Sequence, residues 1–178
     1  MSKEDRTKEE KLVDILKKYG LTVATAESCT GGLLSGSIIN VPGASEVIGT
    51  GIVTYSNDAK RKYLGVKRST LKKHGAVSSK CASQMARGIC AQTGADVGIA
   101  TTGIAGPDGG TVEKPVGLVY IACFAKGKVR IARCDLSGDR EQIRKKAVER
   151  ALAMSYGFIK ERYKKHKKRS SRRKKEDE

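Results

Sequence analysis

Ser28 stands in Ala26-Glu27-Ser28-Cys29-Thr30-Gly31-Gly32, between an alternating run ending near Ala26 and a helical run from Leu33 to about Ile39. A hydroxyl at such a strand-to-helix turn points toward the strand's carboxyl end. The amides that follow it open a helix and can donate to an oxyanion or a phosphate. Spacing alone favours the plainer role, an N-cap serine with glycines chosen for close packing. Cys29 is a rival nucleophile, but no histidine lies nearby to hold it as a thiolate.

A base for Ser28 must come from elsewhere. The chain has two histidines, His74 and His166, and His166 sits in a strongly basic terminal run. Lysine, tyrosine or carboxylate chemistry is therefore favoured. Lys60, in Tyr55-Ser56-Asn57-Asp58-Ala59-Lys60, lies in the first turns of a short helix after a strand ending at Tyr55. A lysine accepts a proton only when neutral, which requires desolvation or neighbouring cations, and Arg61, Lys62 and Lys67 are close in sequence. The ordinary alternatives are a solvated surface lysine and a half-buried strand-end tyrosine.

Two further segments suit an anionic ligand. Thr101 to Gly117 is rich in glycine and carries Pro107 and Pro115, an irregular backbone able to approach a phosphate or sugar closely. It matches neither the Walker nor the dinucleotide fingerprint, and a structural Ω-loop is the alternative. Ser137-Gly138-Asp139-Arg140 opens the last helix, with Arg144 one turn on. Arg140 has the reach for a bidentate contact to an anion, or for a surface ion pair. His74 ends a short helix before Gly75 and suits a C-terminal cap.

The elements that must position these groups follow from pattern. Thr7-Lys8-Glu9-Glu10 has capping-box spacing, and Gly20 stops the first helix. Strands are expected over 21–26, 47–55 and 96–100, and a hairpin over 118–124 and 129–134 around Lys126-Gly127. Helices are expected over 33–39, from Asn57 or Asp58 to Tyr63, over 69–73, from Ser78 or Ser79 to about Ala91, and from Asp139 to about Tyr163. Alternating helices and strands with one hairpin predict an α/β fold: a single three-layer α/β/α domain around a mixed sheet, over residues 1–163. Residues 164–178 carry nine Lys or Arg against three acids, a net of +6, and are expected to form a disordered basic tail. That leaves +11 of the total +17 on residues 1–163. Weak, non-specific nucleic-acid contact is the second reading of the tail, which lacks interleaved aromatics.

With 38% apolar residues and no tryptophan, the core must rest on Val, Ile, Leu and Ala. No run approaches the ~20 apolar residues a bilayer requires, and the charged N-terminus leads into no secretory segment. The five scattered cysteines form no CxxC pair, so reduced thiols in a cytoplasmic protein, and no metal, are expected.

Several blocks in order resemble the CinA C-terminal family: Thr25 to Gly32, Val53-Thr54-Tyr55-Ser56-Asn57, Lys60, His74-Gly75-Ala76-Val77-Ser78, Gly103 to Gly110, Lys114-Pro115-Val116-Gly117 and Ser137-Gly138-Asp139-Arg140. The likeness covers about residues 8 to 160. The family includes stand-alone nicotinamide-nucleotide amidases. The resemblance implies hydrolysis of nicotinamide mononucleotide to nicotinic acid mononucleotide and ammonia, without metal or organic cofactor, by a homodimer. It implies Ser28 as acylated nucleophile, Lys60 as general base and Tyr55 as an orienting or relaying hydroxyl. Substrate contacts fall on Cys29, Thr30, Gly31, Thr102, Gly106 and Arg140, with Arg144 the alternative arginine. Many members carry an extra N-terminal domain, for which 178 residues leave no room. The basic tail is not a family feature. Rival readings are a non-catalytic pyridine-nucleotide-binding module and a nucleic-acid-associated protein acting through its tail.

Overall fold

A computed structural model describes residues 6–176, with side chains described as far as Lys164. Helix α1 (Lys8–Tyr19) begins at the expected capping box: Thr7 accepts from the Glu10 amide while the Glu10 carboxylate accepts from the Thr7 amide. Gly20, in the left-handed conformation, ends it. There follow β1 (Val23–Glu27), α2 (Leu33–Ile39), a 3-10 turn at Ala44–Glu46, β2 (Ile48–Val53), α3 (Asn57–Leu64), α4 (Arg68–His74) and α5 (Ser79–Thr93). The chain continues through β3 (Val97–Gly103), β4 (Leu118–Ala125), β5 (Lys128–Asp135) and α6 (Arg140–Glu176).

The sheet order is β2-β1-β3-β4-β5. The first three strands are parallel, and β4 and β5 form the expected antiparallel hairpin. Its two faces bury different side chains. Against α1, α2 and α6, β1, β3 and β4 turn Val23, Val97, Ile99, Val119, Ile121 and Cys123 to a large aliphatic core. Each fully buried aliphatic side chain there contributes roughly 1.5–3 kcal/mol. Against α3 and α5 the same strands present Ala24, Ala26, Ala100 and Ala122. Those small residues let α5 lie close to the sheet. A Cβ on Gly98 would come within 2.1 Å of the Ala86 carbonyl oxygen, so only glycine fits. This is the mixed-sheet, three-layer α/β/α architecture that the pattern predicts.

Two local differences have simple causes. Ser56, not Asn57 or Asp58, caps α3, because its hydroxyl accepts from the Ala59 amide. Strand β3 runs three residues past Ala100, because Thr101, Thr102 and Gly103 pair with Ile121, Tyr120 and Val119. Asp139 caps α6 at its expected start, where it and Gln142 exchange backbone-to-side-chain bonds in a second reciprocal cap. Helix α6 continues past the expected end near Tyr163 to Glu176, and of the expected disordered tail only the side chains beyond residue 164, with residues 177 and 178, lie outside the described residues.

Candidate active site

Strand β1 delivers Ser28 to the carboxyl end of the sheet. The Ser28 amide still donates to the Thr101 carbonyl of β3 (3.0 Å), so the nucleophile candidate is pinned to a central strand. Gly31 and Gly32 then take the chain through φ +59° and +95° into α2, a turn that any Cβ would strain. With glycine at the N-cap, α2 has no capping side chain of its own. Glu27 supplies the missing acceptor. Its fully buried carboxylate accepts from the amides of Gly32 (3.0 Å), Leu34 (3.1 Å) and Ser35 (2.8 Å). It also accepts from the hydroxyls of Thr30 (2.7 Å) and Ser35 (2.6 Å).

This corrects one expectation. The amides that open α2 are not free for a ligand, because Glu27 takes them. The Gly31 amide is also engaged, by the Ser28 carbonyl at 3.1 Å. The amides of Cys29 and Thr30 donate to no oxygen among the described residues, which leaves these two beside Ser28 as candidate oxyanion donors.

Lys60 arrives from the first turn of α3. Its side chain is 1% exposed, and Nζ donates to Ser28 Oγ (3.0 Å), the Thr54 carbonyl (2.8 Å) and the Tyr55 carbonyl (3.3 Å). The Thr54 amide in turn donates to the Glu27 carbonyl at 2.8 Å, which fixes this segment beside β1. No carboxylate pairs with Nζ among the described residues. Burial lowers the Lys60 pKa, and the Cys81 and Cys29 thiols oppose the shift. The neighbouring cations Arg61, Lys62 and Lys67, expected to depress it, are not the cause. Cys29 is no rival: burial pushes its thiol up to about 11, despite the pull of Lys60.

The arginines divide their labour. Arg144, half-buried on α6, donates from Nε to the Cys29 carbonyl (3.1 Å) and from Nη2 to the Thr30 carbonyl (2.9 Å). It clamps the Ser28 turn from outside. Arg140, one turn earlier and exposed, donates from Nη1 to the Gly106 carbonyl (2.8 Å) and from Nη2 to the Tyr55 hydroxyl (3.1 Å). It links the Gly/Pro loop to the segment after β2. Tyr55 is 64% exposed, so its carbonyl meets Lys60 while its hydroxyl meets Arg140. Buried Thr102 spends its hydroxyl on the Ala76 carbonyl (2.9 Å) and ties β3 to the segment before α5. His74 ends α4 as expected, and its carbonyl accepts from Lys114 of the loop (2.6 Å).

Sequence reasoning thus found the pair Ser28 and Lys60. It missed Glu27 as a cap and Arg144 as a clamp. A glycine at the N-cap of α2, with a glutamate just upstream, was the available signal for Glu27. Among the described residues, no group of three or more His, Cys, Asp or Glu is placed to hold a metal ion. No helix among them is long and apolar enough to cross a membrane.

The family model described as the CinA C-terminal domain matches residues 5–159. The chain belongs to the CinA C-terminal domain family. A CinA-like protein of Kosmotoga olearia is 54% identical over 144 residues, 81% of this chain and 35% of that protein. The chain therefore spans about a third of the length of the curated CinA relatives that it matches, 35% for the first two. The solved competence/damage inducible protein CihA of Agrobacterium tumefaciens superposes with a TM-score of 0.80 at 45% identity, covering 86% of this chain and 96% of that one. A CinA superfamily protein of Klebsiella pneumoniae gives 0.83 at 35% identity, covering 88% and 99%.

Proposed function

We propose that this CinA-family domain is an amidohydrolase that converts nicotinamide mononucleotide to nicotinic acid mononucleotide and ammonia, with Ser28 as nucleophile and Lys60 as base. One observation carries the reading: a buried lysine amine, with no carboxylate to hold its charge, lies 3.0 Å from a serine hydroxyl at a strand end. As an ammonium, Nζ donates to all three of its oxygens. As an amine it keeps two donors for the Thr54 and Tyr55 carbonyls and turns its lone pair to Ser28. That is the arrangement for removing the hydroxyl proton as Oγ attacks the carboxamide carbon.

The tetrahedral oxyanion is received by the Cys29 and Thr30 amides, whose carbonyls Arg144 holds. Protonated Lys60 then gives its proton to the departing ammonia, and water cleaves the acyl-enzyme by the reverse route. Arg140 and the loop at Gly106 supply the cationic, amide-rich side on which the nucleotide's phosphate is held. Tyr55 and Thr102 shape that side rather than move protons. A homodimer in the cytoplasm, needing no metal or organic cofactor, completes the proposal.

The test is ammonia release from nicotinamide mononucleotide by the full chain, without added metal, beside Ser28→Ala. We expect wild-type turnover and a loss of at least about 10³-fold in the variant. Binding of the nucleotide without ammonia release by the wild type would replace the enzyme with a binding module.

A further inference from the structure

Away from Ser28, helices α1 and α6 run side by side in the same direction. Lys8 pairs with Glu149 (2.6 Å) near one end of the seam, and the Tyr19 and Tyr163 rings stack at 5.4 Å near the other. Between them opens a cleft of about 370 Å³. Its walls carry five cations, Arg6, Lys11, Lys18, Lys160 and Lys164, against one carboxylate, Asp14. Asp14 is paired with Arg6. Helical spacing makes each wall a row. Tyr156, Lys160 and Lys164 are four residues apart on α6, each step rising about 6 Å, and Lys11 and Lys18 are separated by about 10 Å along α1.

We propose that this cleft is a docking site for single-stranded nucleic acid, independent of the amidase site. Two rows of cations, extending over about 10 Å on α1 and about 6 Å on α6, match a chain of phosphates better than one small anion. Tyr156 and Tyr19 line the same cleft. Tyr163 stacks on the Tyr19 ring, whereas half-buried Tyr156 packs against the core and stacks on no other ring among the described residues, with Lys160 over it 5.5 Å from the ring centroid. A ring flanked by lysines takes an unstacked base, which a duplex does not present. The cations also continue along the chain: residues 165–178 add eight more Lys or Arg. An anionic membrane is the poorer fit. None of the exposed large hydrophobic residues, Leu33, Ile39, Val53, Tyr55, Tyr63, Val112 and Ile131, lines this cleft to anchor in lipid.

The experiment is fluorescence anisotropy of a labelled 20-nucleotide oligo(dT) with the full chain across a salt series. Three variants run beside it: Lys18→Ala with Lys160→Ala, Tyr156→Leu, and Arg172, Arg173, Lys174 and Lys175 all changed to Ser. Thermal midpoints confirm that each is folded. The wild type is expected to bind, with affinity falling steeply as salt rises. The double lysine variant should lower the slope of log K against log salt by about 1.4, at roughly 0.7 per lost phosphate contact. Tyr156→Leu should weaken binding about tenfold with the slope unchanged. Three results would overturn the proposal: no binding of the oligonucleotide, wild-type binding by the lysine double variant while the tail variant loses it, or binding only to vesicles of phosphatidylserine and phosphatidylcholine.

Discussion

Two buried charged groups flank Ser28, and the protein treats them in opposite ways. Glu27 accepts from three amides and two hydroxyls at hydrogen-bonding distance. Lys60, equally buried, meets only a hydroxyl and two carbonyls and has no carboxylate partner. A carboxylate so fully coordinated holds architecture together. An amine given neutral acceptors alone is left free to change its charge. The contrast marks which of the two neighbours belongs to chemistry.

Lys60→Met would break the contrast most sharply. It removes the proposed base and should cost about 10²–10⁴-fold in ammonia release. The same variant should melt higher near neutral pH, by about 1 kcal/mol of stability. A lysine with a lowered folded-state pKa penalises the fold fully below that pKa, and the penalty fades as pH rises toward the ordinary value of 10.5. The stability gain on removing it should therefore shrink in alkaline buffer, as pH-dependent melts would show. In the wild type, the rising limb of kcat/KM against pH should lie below the ordinary lysine range.

Glu27→Ala tests the other side. It strands the Gly32, Leu34 and Ser35 amides and the Thr30 hydroxyl, and should cost about 3 kcal/mol in chemical denaturation. For a chain of this length that lowers the melting midpoint by about 10 °C. A variant that melts like wild type but no longer turns over would place Glu27 in the chemistry and undo the contrast. The smallest effect is expected at Arg144. Arg144→Lys keeps a cation but loses the fork that spans two carbonyls, and should lower kcat about tenfold with little change in KM.

The scaffold was legible where the signal is local. Thr7 with Glu10 and the stop at Gly20 place α1, alternation places the hairpin, and Ser28 and Lys60 lie where strand and helix ends predict. What was hidden depends on partners far apart in the chain. Nothing near Tyr55 tells that its carbonyl will serve Lys60 while its ring turns outward to Arg140. Nothing around Arg144 tells that its guanidinium will reach from α6 to the carbonyls of Cys29 and Thr30. The mis-assigned amides are of another kind. Glu27 stood in the motif, but a carboxylate capping a helix from the preceding strand requires knowing that Gly32 is the N-cap.

Arg140 already commits one N–H on each of its two terminal nitrogens, to Gly106 and Tyr55. An anion that takes these same two N–H groups must substitute for ligands rather than fill a space. The loop surrenders a tether as the newcomer gains one, so the net heat of docking at this arginine is blunted. Selectivity then favours anions that can offer something back to the released carbonyl, such as the hydroxyls of a sugar beside the phosphate.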